Sequence, residues 1–291
     1  MNSVHKTVLL NETIDGLNLP KNPVVIDGTF GGGGHSLEIC KKYPGAKIIA
    51  YDMDKAVWDR AKDKFAKLDC TVEFNNTNFR NISGENVDGV ILDLGLSSDQ
   101  LENSGRGFSF MKDEHLLMTM KENPSLEDVT AYDAVNTWGE ENLANIIYGF
   151  GEEKFSRRIA KAIVDARQKS DIKTTFDLVK IISDAVPAGY RKGRLHFATR
   201  TFQALRIAVN DELGALQEGL EKSFNVLKKG GRISVISFHS LEDRIVKNFY
   251  KEKEKNGLAK IINKKIITAS IEELKSNPRS RSAKLRIIEK I

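Results

Sequence analysis

Over the first hundred residues, short runs of β-branched and other apolar residues alternate with stretches whose apolar positions recur every three or four. Pro23-Val24-Val25-Ile26-Asp27 is a buried-strand run that stops at Gly28. Residues 35–43 have helical spacing, 47–52 is a second strand run, and 56–68 places Val57, Ala61, Phe65 and Leu68 on one helical face. Residues 71–74 and 87–93 add a third and a fourth strand, the last turning at Leu94-Gly95. Strands alternating with helices predict a parallel, doubly wound α/β sheet. From 106 to 200 the alternation stops. Residues 140–168 and 174–186 have helical spacing, and 187–200, rich in Gly and Arg, reads as a loop. A helix over about 201–228 leads through Gly230-Gly231 into a fifth strand at 232–238, with edge-strand candidates at 264–268 and 283–288. The pattern predicts an α/β domain of residues 1–105 and 201–291, interrupted by an all-helical insert at 106–200.

Composition narrows the class. The chain has 291 residues, 40% hydrophobic and 29% charged, which excludes wholesale disorder. No stretch approaches the roughly 18 apolar residues of a membrane span. The N-terminus lacks the basic flank, apolar run and cleavage site of a secretory signal. Cys40 and Cys70 are the only cysteines. They are too few for a disulfide framework or a four-cysteine zinc site, and such usage suits a reducing, cytoplasmic setting. The five His and two Cys show no metal-ligand spacing, so no catalytic metal is expected. The net charge of +5 conceals an asymmetry: −9 over residues 1–150, +7 over 151–210, zero over 211–240 and +7 over 241–291. A basic second half fits a polyanion partner, although solvated Lys-rich helix faces give the same bias.

The candidate chemistry lies at the strand ends. The first strand runs into Gly28-Thr29-Phe30-Gly31-Gly32-Gly33-Gly34-His35. Glycines between a strand and a helix let a ligand approach the backbone. The G-x-G-x-x-G spacing of dinucleotide sites is absent. Asp27 ahead of the glycines would repel a pyrophosphate but suits a ligand with a cationic amino group, and S-adenosylmethionine carries both an ammonium and a sulfonium. Asp52, 24 residues after Gly28, stands where an acid reads ribose hydroxyls, and Asp54 is the better candidate to cap the next helix. Phe79 suits either an adenine face or core packing. Asp93 emerges over the centre of the sheet, where open α/β folds bind ligands.

These residues belong to longer runs. They include His5-Lys6-Thr7-Val8-Leu9-Leu10-Asn11-Glu12, Asp93-Leu94-Gly95-Leu96-Ser97-Ser98 with Gln100-Leu101, Arg106-Gly107-Phe108-Ser109-Phe110, Ala198-Thr199-Arg200-Thr201-Phe202-Gln203-Ala204-Leu205-Arg206, Ser237-Phe238-His239-Ser240-Leu241-Glu242-Asp243-Arg244 and Asn277-Pro278-Arg279-Ser280-Arg281-Ser282. Through them nearly the whole chain resembles the bacterial 16S ribosomal RNA cytosine-N4 methyltransferases of the MraW type. The resemblance implies a class I, Rossmann-like methyltransferase domain with an inserted helical substrate-recognition domain. It implies S-adenosylmethionine binding by Gly33, Gly34, His35, Asp52, Phe79, Asp93 and Gln100. It also implies methylation of a cytosine amine in the decoding region of the small ribosomal subunit. One segment departs from the family: Leu117 and Thr119 stand where an Asp and an Arg are usual. Loss of both partners of a structural ion pair is nearly neutral; loss of a pair that touches substrate alters turnover or target.

In the expected mechanism the nucleophile, methyl and sulfur are held in line. Asp93 orients the amine, the cofactor or both, with Ser97 or Ser98 as weaker options. His35 reads as a cofactor contact. His239 faces the target base or is a structural histidine. Phosphates are expected on Arg157, Arg158, Arg191, Lys192, Arg194 and Arg200 of the insert, and on Arg244, Arg279 and Arg281 later, with Arg200 and Arg244 also fitting internal ion pairs. The rival functions are a DNA amine methyltransferase and a non-catalytic ribosome-binding factor; monomer and homodimer are both open.

Overall fold

The β-branched runs form the strands of one seven-stranded sheet in a computed structural model that describes residues 6–122, 124, 125 and 127–291, apart from the side chains at 98, 99 and 102. The chain divides into a sheet unit, Met1–Gly95 with Leu213–Ile291, and a helical unit, Leu96–Glu212. In chain order the sheet unit begins with α1 (Leu10–Leu17), β1 (Val24–Asp27), α2 (Gly34–Lys42), β2 (Ala46–Tyr51), α3 (Lys55–Phe65), β3 (Cys70–Asn75) and β4 (Val87–Asp93). The helical unit follows with α4 (Ser98–Asn103), α5 (Ala131–Thr137), α6 (Glu140–Gly149), α7 (Ser156–Arg167), α8 (Thr175–Ala185), α9 (Ala188–Arg191) and α10 (Thr199–Asn210). The sheet unit resumes within α11 (Glu212–Val226) and ends with β5 (Leu227–Ser237), α12 (Ser240–Lys255), β6 (Ala259–Ile261), α13 (Ile271–Ser276) and β7 (Lys284–Lys290).

The strand order is β3-β2-β1-β4-β5-β7-β6. Every neighbouring pair is parallel except β5–β7 and β6–β7, so β7 is the one reversed strand. This is the doubly wound sheet of the class I methyltransferase expectation. Chain order reverses between β1 and β4, the kind of switch point at whose carboxyl strand ends open α/β sheets bind ligands. Register brings the useful ends together: Asp27 lies opposite Ile91, and Asp93 opposite Ile236. Ile26, Ile48, Val90, Ile91 and Leu92 are fully buried, as strands covered on both faces require.

Several elements differ from the sequence pattern. The apolar face of α1, with Ile14 and Leu17, packs on the sheet, and the Ser234 hydroxyl donates to the Thr13 carbonyl at 3.2 Å. The edge strand is β6, at 259–261 instead of 264–268; Ile267 makes only a single bridge to Leu285. Cys40 of α2 and Cys70 of β3 form a disulfide with a Cα–Cα distance of 5.6 Å. The pairing links helix to edge strand across 30 residues, against the reading of the two cysteines as residues of a reducing setting, because the fold brings together positions that sequence spacing keeps apart.

The helical unit packs around Leu143, Ile147, Ile159, Ile163, Leu178 and Ile182, all fully buried. The helical pattern of 140–168 breaks after Gly149. Glu153 is buried there and accepts from the Phe155 N–H at 2.8 Å and the Tyr190 hydroxyl at 2.5 Å. The long helix expected at 201–228 breaks at Asp211, whose φ is 46°. The break leaves α10 with the helical unit and nearly all of α11 with the sheet. The units therefore divide at 95/96 and 212/213, not at 105/106 and 200/201.

Candidate active site

β1 ends at Asp27, 1% exposed. The Ser36 hydroxyl of α2 donates to its Oδ2 at 2.6 Å, and the Thr29 N–H to its Oδ1 at 3.3 Å. Burial raises this carboxyl to about 6, against the lowering effect of those two bonds. The loop beyond is closed by its own backbone. Gly33 takes φ 70° to cap α2, and a Cβ there would meet the Phe30 ring at 2.7 Å. A Cβ on Gly34 would collide with the Thr7 hydroxyl. Asp52 follows β2, where its Oδ2 accepts from the Gly31 N–H at 2.8 Å and its Oδ1 from the Asp54 N–H at 2.9 Å. Asp52 thus ties the glycine loop to β2. Asp54 caps α3 through the Ala56 N–H at 3.0 Å.

Asp93 ends β4. Its N–H donates to the Thr29 hydroxyl at 2.6 Å, which locks the two strand ends together. Its Oδ1 is buried and has no hydrogen-bond partner among the described residues. Its Oδ2 lies 4.0 Å from Nδ1 of the buried His35. Burial lifts Asp93 to about 8, helped by the charges of Asp27 and Glu242. β5 ends beside β4, and its turn carries Phe238 and His239. Glu242, 2% exposed, accepts from the Phe238 N–H at 2.8 Å and the His239 N–H at 3.2 Å. Its own N–H donates to Nδ1 of His239 at 3.4 Å, completing a capping box on α12. Nε2 of His239 lies 3.2 Å from Oε1 of Glu242.

The sheet unit therefore gathers Gly33, Gly34, His35, Asp52, Asp93 and His239 along the strand ends. Phe79 is packed: it opens a one-turn helix between Gly28 and Gly219, whose missing side chains leave its room. Gln100 belongs to the helical unit, where its Oε1 accepts from the Ser97 N–H at 3.0 Å and its N–H donates to the Ser97 hydroxyl at 3.1 Å. Ser97 and Gln100 are thus a capping box on α4; the Ser98 side chain and His5 lie outside the described residues. Arg200 donates to the Glu152 carbonyl at 2.6 Å, and Arg191 to the Ser183 carbonyl at 3.3 Å, so both have structural work. Arg194, Lys192, Arg157 and Arg158 are exposed on the helical unit, and Arg244, Arg279 and Arg281 on the sheet unit. Thr29, Ser36 and Glu242 did not stand out in the sequence; the His-x-x-Glu capping spacing at 239–242 was the available signal for the last.

The residues present fit S-adenosylmethionine. The donor chemistry is a cation beside carboxylates, and the site supplies a buried, unbonded carboxylate oxygen on Asp93 next to Asp27. Gly33 and Gly34 leave room for the Phe30 and Thr7 side chains packed against the loop. Leu117 and Thr119 belong to the helical unit. Leu116 and Met118 beside them are core residues, Thr119 is 4% exposed, and Asn210 bonds both the Met118 carbonyl and the Met120 N–H.

Two ribosomal RNA small subunit methyltransferases H are similar along the full length. The Clostridium botulinum protein is 46% identical over 99% of both chains. That of Brevibacillus brevis is 44% identical over 99% of this chain and 98% of its own. A solved rRNA methylase from Streptococcus thermophilus aligns over 98% of both chains at 11% identity with a TM-score of 0.47. The family description "MraW methylase family" matches residues 2–291. Matched from end to end by the family description and by these relatives, this chain belongs to the MraW methylase family.

Proposed function

We propose that the protein transfers the methyl group of S-adenosylmethionine to the exocyclic N4 of a cytosine in the decoding region of 16S ribosomal RNA, within small ribosomal subunits in the cytoplasm. The observation that carries this is Asp93: a half-buried carboxylate at the switch point, with its buried Oδ1 unbonded among the described residues and its backbone fixed by Thr29. Bound there, S-adenosylmethionine supplies an electrophilic methyl group on a cationic sulfur. Asp27 would face the ammonium end. Asp52 keeps the glycine loop closed, and His35 would lie against the cofactor beside Asp93. The nearby cation favours the ionised form of Asp93, which then accepts an N–H of the target amine. That bond pushes density onto a nitrogen whose lone pair is otherwise delocalised into the ring, and gives the departing proton a destination. The principal contributions are alignment and exclusion of water. His239, held by Glu242, faces the base; Arg194, Arg279 and Arg281 hold phosphates, with Arg200 serving the helical unit instead. The base is presented unstacked, as in a loop of folded RNA.

The relatives' shared name, a small-subunit ribosomal RNA methyltransferase, supports the RNA target. The burial of Thr119 in the helical unit supports a structural role for the departure there, and with it a working enzyme. The test is transfer of labelled methyl to small subunits that lack the modification, with free RNA and DNA alongside. The expected result is label on one cytosine amine of the small-subunit RNA. Label on DNA, or on no substrate, overturns the proposal.

A further inference from the structure

α12 carries a line of cations on the face opposite its buried side. Arg244, Lys247, Lys251 and Lys255 are all exposed. Their spacings of three, four and four residues stack them in one narrow stripe. On the other face, Val246 and Tyr250 are 1% exposed and seat the helix, with the Tyr250 hydroxyl donating to the Ile233 carbonyl at 3.3 Å. The acids of this helix are engaged elsewhere or stand aside. Asp243 is held by Arg286 at 2.7 Å and Lys284 at 3.7 Å, Glu254 accepts from the Ile261 N–H at 3.0 Å, and Glu242 is buried at the site. Asp243 also feels the charge of Lys247, four residues on. Glu252 is exposed to one side. Among the described residues no carboxylate is in ion-pair reach of Lys251 or Lys255.

Such a stripe does nothing for the fold. Like charges four apart, as in Lys247–Lys251 and Lys251–Lys255, destabilise a helix. The helix dipole favours cations only in the last turn, which accounts for Lys255 and not for Lys247. Exposed Glu252 and Glu254 flank the stripe, three residues from Lys255 and Lys251, but no acid stands within it. The helix also starts at the residue after His239, so the stripe begins about one turn from the rim of the site. At a rise of about 1.5 Å per residue, successive lysines stand about 6 Å apart along the axis.

We propose that the exposed face of α12 is a track for the ribosomal RNA backbone, with Lys247, Lys251 and Lys255 each facing a phosphate of the strand that leads away from the target base. The track deepens the RNA methyltransferase reading above and rests on it. Phosphate contacts of this kind fix register and orientation without reading sequence.

The test uses the full chain and small ribosomal subunits lacking the modification, with binding measured across a series of salt concentrations. In the triple variant K247Q/K251Q/K255Q the slope of log affinity against log salt is expected to fall by about 2 to 3, at about 0.7–0.9 per lost phosphate contact. Affinity weakens by about tenfold or more at moderate salt, KM for the subunit rises, and kcat and S-adenosylmethionine binding stay unchanged. K251Q alone lowers the slope by about 0.7–0.9, which serves if the triple variant misfolds, and Lys→Arg at all three positions keeps the wild-type slope. An unchanged slope and affinity in the Gln variants overturns the track. Methylation by the wild type together with unaffected variants leaves the enzyme reading intact and removes the track alone. Salt-dependent binding that the triple variant loses, in a wild type that methylates nothing, removes the enzyme reading alone. A wild type without salt-dependent RNA binding removes both.

Discussion

The sheet unit and the helical unit both bury charge, and they treat it differently. In the helical unit, Glu153 is fully buried and accepts from Phe155 and Tyr190, whose hydroxyl is pushed up to about 12 by burial and by that bond. Arg106, 6% exposed, donates to the Met120 carbonyl at 2.9 Å and lies over the Phe108 ring. These charges meet their partners inside the unit, as a stable fold requires. In the sheet unit, Asp93 keeps an unbonded buried oxygen beside two further carboxylates, Asp27 and Glu242. Burying like charges together raises the folded state's energy, and a polar group left so marks a place prepared for something else. Buried charge alone is therefore a poor sign of function; buried charge without its partner is a good one.

That contrast can be broken in the helical unit first. If Leu117 and Thr119 are a structural replacement for an ion pair, Thr119→Arg puts a lone cation into a site 4% exposed. It should destabilise the protein by about 3–5 kcal/mol in a denaturant titration, and adding Leu117→Asp should recover about half or more. A double variant no more stable than the single one would deny that the positions are coupled. Next comes the scaffold of the sheet unit. Cys40→Ser removes a cross-link closing 30 residues, and calorimetry under oxidising conditions should show a loss of about 3–4 kcal/mol. Equal stability with and without reductant would mean that the bond does not constrain the unfolded chain. The remaining test is of pH dependence. Asp27 and Asp93 sit at about 6 and 8, both raised from 3.8, so the folded state holds protons that the unfolded chain releases. Stability should fall as pH rises from about 4 to 8 and level off above. Asp93→Asn should flatten the upper part of that fall, between about 6 and 8; a thermal profile unchanged by the substitution would place Asp93 in a less buried setting.

Much of the sheet unit was legible because its strands are continuous apolar runs bounded by acids and glycines. β1, β2 and β4 fall within a residue of their runs, and the glycines that close the cofactor loop mark themselves by density. What stayed hidden depends on contacts distant in sequence. Nothing near Cys40 points to Cys70. Asp52 stands where a ribose reader stands, and its bonds to the Gly31 and Asp54 N–H groups in the loop had no signal in the sequence. The packing of the half-buried Phe79 against Gly28 and Gly219 was equally hidden. The break at Asp211 hides inside a continuous helical pattern, because a left-handed residue there costs little and leaves no gap in the apolar spacing. Gln100 and Arg200 belong to motifs of the family, and their side chains serve a helix cap and a carbonyl within the helical unit.

The most direct test is of Asp93 itself. Asp93→Asn keeps the shape of the side chain and removes its charge. Transfer of labelled methyl to small subunits is measured with cofactor-free protein whose melting confirms its fold. A drop of about 10²–10⁴-fold is expected, with label in the wild type confined to one cytosine amine. Transfer by Asp93→Asn at the wild-type rate would contradict the assignment of the reaction to this carboxylate.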